Sequence, residues 1–389
     1  MLALTAARLL TPNEVVKDAL MMVDDGRVLE ISTRAGRELP PGASHLGFGD
    51  AAIAPGYVDV HIHGSAGYDV MDARAEALPA IEQMLVRHGV TSYFPTTVTA
   101  PIDTTLRALE RLAGAIENAG RKNDGRPVHA LPLGIHLEGP FISHARRGVH
   151  PPENLLAPKV ETFERFWQAA RGKIRVMTIA PELDGAIELI RTATVRGICV
   201  SLGHSDADFA TTERAIAAGA THATHTFNAM RPLAHRDPGI LGAVLTDTRA
   251  SADMIVDGIH LDPAIVKLVA QAKGPDRTVL ITDATAAAGM PDGRYRLGSM
   301  EVEVKSGACT FDGKLAGSVL TMDAAVRNFS KFAERPLHDA VAAATRNPAR
   351  VVCCAGKGEL KAGADADFLV LSEQGDVLRT FVGGVECSR

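Results

Sequence analysis

The sequence predicts an α/β protein: a closed (β/α)8 TIM-like barrel with a small β-sandwich domain formed by the N- and C-terminal segments. Three observations predict it. Strand-like and helix-like segments alternate for about 290 residues in the middle of the chain and give eight strand candidates, which implies a parallel sheet covered by helices. Both chain ends read instead as short strands joined by turns. Several of the middle strands finish in histidine or a carboxylate, as strands do where they open onto the rim of a barrel. The expected division is residues 1–54 and 351–389 for the small domain and 55–350 for the barrel.

The N-terminal strands are "LALTAARLLT", "ALMMVDDGRVLEIS" and "SHLGFGDAAIAPG", with "DDG" as a hairpin turn. The barrel strands follow as "GYVDVHIHG", "TSYFPTTV", "ALPLGIHLEGP", "IRVMTIAPE", "GICVSLGHS", "ATHATHTFNAM", "ASADMIVDG" and "RTVLITDAT". Between them "ALPAIEQMLVRHG", "TTLRALERLAGAIENAG", "GAIELIRTATVRG", "DFATTERAIAAG" and "PAIVKLVAQAKG" have the apolar period of amphipathic helices, several ending in glycine. The C-terminal strands are "ADFLVLS" and "VLRTFVGGVEC". An open doubly wound sheet is the alternative, but no GxGxxG follows an early strand.

Composition agrees with a large buried core. The 389 residues are 46% hydrophobic and 22% charged, enough for one large domain, or a large one with a small companion. Lysine and arginine (41) nearly balance aspartate and glutamate (46) and are spread along the chain. That pattern predicts neither a nucleic-acid footprint nor a membrane-binding face. The first residues lack a basic n-region with a long apolar core, and no run approaches the roughly 18 apolar residues of a membrane span. Cys199, Cys309, Cys353, Cys354 and Cys387 are odd in number and form no CxxC pair. They predict buried thiols in a reducing cytoplasm.

The chemistry gathers at strand ends. In "PGYVDVHIHG" the alternation of strand side chains puts His61 and His63 on one face. "LGIHLEGP" brings Glu138, "CVSLGHSD" brings His204, "THATHTFNAM" His225, "DMIVDGIHLD" His260 and "VLITDATAAAG" Asp283. Imidazoles and carboxylates converging on one rim form a ligand set for a borderline divalent ion such as zinc, or for ferrous iron or cobalt. A lone buried histidine is more often a hydrogen-bonded core residue; it is their succession along the strand ends that points to a metal. His45, His88, His129, His235 and His338 fall in loops or helices and are read as ordinary. His136 shares a face with Glu138 and is read as a partner of the ligands. His222 is three residues from His225 and should face away in a regular strand. Asp283 could also be a helix N-cap in "TDAT".

The opening "PGYVDVHIHG" resembles that of the amidohydrolase superfamily. The series "GIHLEGPFIS", "SLGHSDA", "THTFNAM", "DGIHLD", "LITDATAAAG", "LAGSVLTMD" and "TRNPAR" resembles its N-acetylglucosamine-6-phosphate deacetylase family, over essentially the whole chain. The resemblance implies Glu138, His204 and His225 as primary metal ligands, with Glu138 standing where many superfamily relatives use a carboxylated lysine. His61 and His63, kept by only some members, imply a second ion bridged by Glu138. One or two divalent ions per subunit follow, zinc first, with iron, cobalt or manganese as alternatives. The implied reaction is hydrolysis of the acetamide of N-acetyl-D-glucosamine 6-phosphate, in amino-sugar catabolism or cell-wall recycling. Asp283 is the expected proton carrier. His150, Asn228, Ala229 and His260 match substrate contacts, and Arg236 matches a phosphate partner that reaches a neighbouring subunit, implying a homodimer. Three other readings have their own signatures. A dihydroorotase- or deaminase-like hydrolase should lack "HLEGP" and the "NAM…R" segment. A non-catalytic scaffold should have lost ligands or the aspartate. A sugar-phosphate binding protein with a structural metal would bind without turnover.

Overall fold

A computed structural model describes residues 1–12, 14–119 and 128–388. Gly120, expected at the end of the second helix, lies outside them.

All eight expected barrel strands are present. They are β1 (Tyr57–Ile62), β2 (Val90–Thr97), β3 (Ile135–Glu138), β4 (Ile174–Ile179), β5 (Cys199–Leu202), β6 (His222–Ala223), β7 (Ser251–Ile255) and β8 (Thr278–Ile281). Each pairs in parallel with the next. The seam between β8 and β1 is short. Ile62 bridges Ala284, Asp283 N–H donates to the His61 carbonyl at 2.9 Å, and His63 N–H donates to the Ala284 carbonyl at 2.8 Å.

Strand alternation separates two environments. Ile135 and Leu137 of β3 join Leu109, Leu112, Phe163 and Phe166 in the large apolar cluster. His136 and Glu138, on the opposite face, are buried among polar side chains. The five expected helices form at Ala77–Arg87, Ile102–Ala119, Ala186–Val195, Phe209–Ala217 and Pro263–Lys273. The last two start where Asp208 and Asp262 accept the Thr211 and Ala264 N–H groups, the second with proline at its first position. Among the described residues, five further α-helices complete the layer, at Val160–Ala169, Gly239–Thr246, Met322–Phe332, Leu337–Ala344 and Arg346–Val351. Residues 239–246, "GILGAVLT", are apolar nearly all round and mostly buried, so no amphipathic period announces them. After β8 an antiparallel sheet intervenes: Gly293–Leu297, Met300–Lys305, Ala308–Phe311 and Lys314–Leu315.

The two chain ends merge because Ala52–Pro55 pairs with Leu2–Leu10 on one side and with Phe368–Leu371 on the other. The expected sandwich is therefore built from one continuous eight-stranded sheet. Its first hairpin turns at Asp25-Gly26, both at positive φ (42° and 75°), as "DDG" requires. Phe368 and Val370 pack with Leu4, Met21 and Ile53 in the small core. Leu369 and Leu371, on the other face of the same strand, belong to the barrel cluster. One strand thus serves two cores and fastens the small sheet to the barrel.

Candidate metal centre and active site

Glu138, at the end of β3, divides its two oxygens between two imidazole pairs. Oε2 lies 3.4 Å from His61 Nε2 and 3.1 Å from His63 Nε2. Oε1 lies 3.2 Å from the Nε2 atoms of both His204 and His225. Within the pairs the nitrogens are 3.3 Å and 3.0 Å apart. Nitrogens bound 2.0–2.1 Å from a tetrahedral zinc ion lie about 3.3 Å from one another. The spacing is therefore that of ligands around a common ion, and two such triads share Glu138.

The imidazoles are oriented for this. Nδ1 of His63, His204 and His225 faces the backbone carbonyl of Thr96 (3.0 Å), Arg146 (2.9 Å) and Asn228 (3.2 Å) respectively. A carbonyl can only accept, so the proton sits on Nδ1 and the Nε2 lone pair points into the cluster. His61 differs: its Nδ1 is buried with no hydrogen-bond partner among the described residues. Its ring is placed by edge-to-face packing on His136, centroids 4.6 Å apart. His136 in turn bonds the Val60 carbonyl (3.0 Å) and Thr178 Oγ1 (2.8 Å).

Asp283 stands on the same side as His61 and His63, its Oδ1 3.4 Å and 3.2 Å from their Nε2 atoms. No helix begins there, so it is not an N-cap. His204, His225 and Asp283 all adopt positive φ (46°, 31° and 49°). Such backbone costs on the order of 1–3 kcal/mol per residue and persists where surrounding contacts over-determine it.

Burial alone would push the carboxyls up in pKa. The facing imidazoles outweigh it, taking Glu138 well below its usual value and Asp283 down to about 2. Burial likewise opposes a proton on His63 and His225, but the carboxylates override it, raising His63 well above its usual value and His225 to about 9. Two buried carboxylates thus draw positive charge into the cluster. A divalent cation can supply that charge in place of protons, and the imidazole–carboxylate donor set suits one.

Around this centre, His150 packs its ring on His204 with centroids 4.6 Å apart, and its Nε2 is 3.8 Å from Glu138 Oε2. His150 Nδ1 faces the Thr99 hydroxyl at 2.8 Å and accepts from the Thr99 N–H at 3.4 Å; because a backbone N–H can only donate, the proton is on Nε2. Burial lowers His150 to about 3, so it is a neutral donor. Asn228 holds His225 through its carbonyl, while its buried amide nitrogen has no partner among the described residues. Ala229 sits beside it at φ 50°. His260, in the loop after β7, donates from Nδ1 to Asp257 Oδ2 at 2.7 Å. Arg236 is exposed on the loop closed by the Ala234–Asp237 bridge, and among the described residues no hydrogen bond or ion pair joins it to the cluster. His222 stays out of the cluster and bonds Asp253 at 2.9 Å.

Two residues that sequence reasoning passed over clamp the ligands. Asp59 accepts the His61 N–H at 3.2 Å and the Thr282 hydroxyl at 2.5 Å, tying β1 to the end of β8. Asp253 accepts the backbone N–H of His225. Each is a single acid inside an apolar buried strand, "YVDVHI" and "SADMI", which is a readable signal because a buried carboxylate needs partners.

The whole arrangement can hold one or two divalent ions, present a carboxylate base beside them, and offer a neutral imidazole N–H to a carbonyl. The chain is similar to known proteins over nearly its whole length. N-acetylglucosamine-6-phosphate deacetylase of Bacillus subtilis (strain 168) is 37% identical over 97% of this chain and 94% of its own. N-acetylgalactosamine-6-phosphate deacetylase of Escherichia coli O157:H7 is 38% identical over 98% of both. The structure of an aspartate-to-alanine variant of N-acetyl-D-glucosamine-6-phosphate deacetylase from Mycobacterium smegmatis, in complex with N-acetyl-D-glucosamine 6-phosphate, superposes with a TM-score of 0.91 at 36% identity, covering 99% of this chain and 98% of that one. The amidohydrolase family pattern matches residues 52–387, the barrel and the C-terminal strands together. By fold, by rim chemistry and by sequence, the chain belongs to the amidohydrolase family.

Proposed function

We propose that the protein hydrolyses the acetamide of N-acetyl-D-glucosamine 6-phosphate to D-glucosamine 6-phosphate and acetate. The observation that carries this reading is the division of Glu138 between two imidazole pairs with Asp283 beside one of them. Glu138, His204 and His225 would hold one divalent ion, and His61, His63 and Glu138 a second; the nitrogen-rich set favours zinc. Such an ion supplies a Lewis acid for the amide carbonyl and lowers the pKa of water from ~16 towards ~7. Asp283 takes the proton from the water that adds to the amide carbon. It returns that proton to nitrogen as the C–N bond breaks, so acetate and the free amine leave. His150 directs its Nε2–H at the site as a donor to substrate oxygen. Asn228, through the amide nitrogen left without a partner among the described residues, Ala229 and His260 contact the sugar. Arg236, exposed and free of the cluster in its own subunit, binds the phosphate of a neighbouring subunit's substrate in a homodimer.

No helix among the described residues is long and apolar enough to cross a membrane. The five cysteines are free; Cys199, Cys309 and Cys387 are buried as expected, whereas Cys353 is exposed and Cys354 partly so, because they fall in the turn after the helix at 346–351. Free thiols suit a reducing compartment, and the reading is of a cytoplasmic enzyme in amino-sugar catabolism or cell-wall recycling. A second reading has an observation of its own: the galactosamine-type relative is as similar as the glucosamine-type ones. Acetate release from both 6-phosphates and from unphosphorylated N-acetylglucosamine, with metal-loaded and chelator-treated protein, tests the proposal. Metal-dependent release from the glucosamine-type 6-phosphate is expected. A preference for its C4 epimer would favour the second reading, and no release from either phosphate would refute both.

A further inference from the structure

Beyond β5 the chain makes a turn at 204–206 that touches three neighbouring loops. On one side Ser143 N–H donates to the His204 carbonyl and His204 Nδ1–H to the Arg146 carbonyl, both at 2.9 Å. On the other, Ser205 N–H donates to the Ala229 carbonyl (3.1 Å) and Arg231 N–H to the Ser205 carbonyl (2.9 Å). The turn is held from the third loop, after β4, by Glu182. Its Oε2 accepts from Ser205 Oγ and its Oε1 from the Asp206 N–H, each at 2.7 Å. Arg146 Nε reaches back to Asp206 Oδ1 at 2.7 Å and closes the ring.

The chemistry of this clamp needs a carboxylate. Two donors converge on it, and an ionised carboxylate accepts on both oxygens with charge assistance, whereas an amide offers one acceptor oxygen. His204 keeps its positive φ of 46° only while its neighbours fix it. Among the described residues Glu182 makes no hydrogen bond or ion pair to the imidazole cluster, so it acts through others. The segments it steadies carry His150 on one side and Asn228 and Ala229 on the other.

We propose that Glu182 is a positioning residue: through the Ser205–Asp206 turn it keeps the two substrate-facing segments, 143–150 and 228–231, in register with His204. What those segments bind rests on the deacetylase reading, whereas their ordering does not.

The test compares full-length, metal-loaded wild type, Glu182→Ala and Glu182→Gln by amide hydrogen exchange, by steady-state kinetics and by the visible spectrum of the cobalt(II)-loaded proteins. In Glu182→Ala, exchange at 143–150 and 228–231 should rise about 10-fold or more while the barrel strands keep wild-type protection. KM for N-acetylglucosamine 6-phosphate should rise about 10-fold with a smaller fall in kcat, and the cobalt bands should shift as His204 loses its fixed orientation. Glu182→Gln, which keeps one acceptor oxygen, should recover part of each change. Unchanged exchange in both segments would overturn the proposal, and so would a rise spread evenly over the barrel. If Glu182→Ala does not accumulate as folded protein, Ser205→Ala removes one of the two links and is judged by the same criteria. A wild type that releases no acetate, combined with the segment-specific exchange change, would refute the substrate reading while supporting this one.

Discussion

The two triads that share Glu138 should differ in metal affinity, and the difference can be worked from the hydrogen bonds behind the ligands. In the His204–His225 triad both imidazoles have Nδ1 anchored on a carbonyl, at 2.9 Å and 3.2 Å. In the His61–His63 triad only His63 is anchored, at 3.0 Å, and His61 Nδ1 has no partner among the described residues. Losing one such anchor typically weakens a metal site about 10–100-fold, or about 1.4–2.8 kcal/mol. Titration of metal-free protein with zinc against a chromophoric chelator should then resolve two phases separated by that factor. His61→Ala should remove the weaker phase and leave the tighter one near its wild-type position. His204→Ala should remove the tighter phase and most of the activity. Two phases of equal affinity, or loss of the tighter phase in His61→Ala, would refute the reasoning.

Three other outcomes follow from the same geometry. Asp283→Asn keeps the shape but cannot accept a proton, so kcat should fall roughly 10²–10⁴-fold in the protein loaded with metal; activity within a few-fold of wild type would assign the base elsewhere. Arg236→Ala should cost about 2–3 kcal/mol, roughly 30–150-fold in kcat/KM, on the phosphorylated sugar only. Mixing it with Asp283→Asn should restore part of the activity after subunit exchange, and no recovery despite exchange would exclude delivery across a dimer. Burial raises half-buried Glu82 from near 4.5 to about 7, although the Tyr93 hydroxyl, donating at 2.9 Å, pulls the other way. A raised folded-state pKa gives stability that is complete below the unfolded value and is lost as pH rises through the folded one. Melting temperature should therefore fall from pH 5.5 to 8 by an amount equivalent to about 2 kcal/mol from this group, and Glu82→Gln should remove that part of the slope. Equal slopes in both proteins would count against it.

The sequence carried the eight strands because strand-like and helix-like segments alternate, and where the strands end in a distinctive polar residue, at Glu138, His204, His225 and Asp283, those ends do meet. It carried less where a segment lacks a period of its own. Residues 239–246 are apolar on nearly every face, and helix and buried strand look alike in such a run. The "MEVEVK" strand does alternate and its burial alternates with it, so that signal was present but unread. The clamps at Asp59, Asp253 and Glu182 depend on which loops and strands become neighbours. Glu182 is adjacent to Ser205 only because β4 and β5 pair in parallel and bring their C-terminal turns together.

The seam of the barrel explains why the site and the fold are hard to separate. β8 meets β1 through residues that are also functional or next to functional ones: Asp283 N–H on the His61 carbonyl and His63 N–H on the Ala284 carbonyl. Asp59 adds a third tie, from the His61 N–H to the Thr282 hydroxyl. A cation held by His61, His63 and Glu138 would link β1 to β3, and Asp283 would add β8 to the same charged centre. Binding there bridges the barrel across its shortest pairing. Metal should therefore protect the amides of Asp283 and His63 from exchange more than those in the middle of β4 or β5, where the parallel ladder is already continuous.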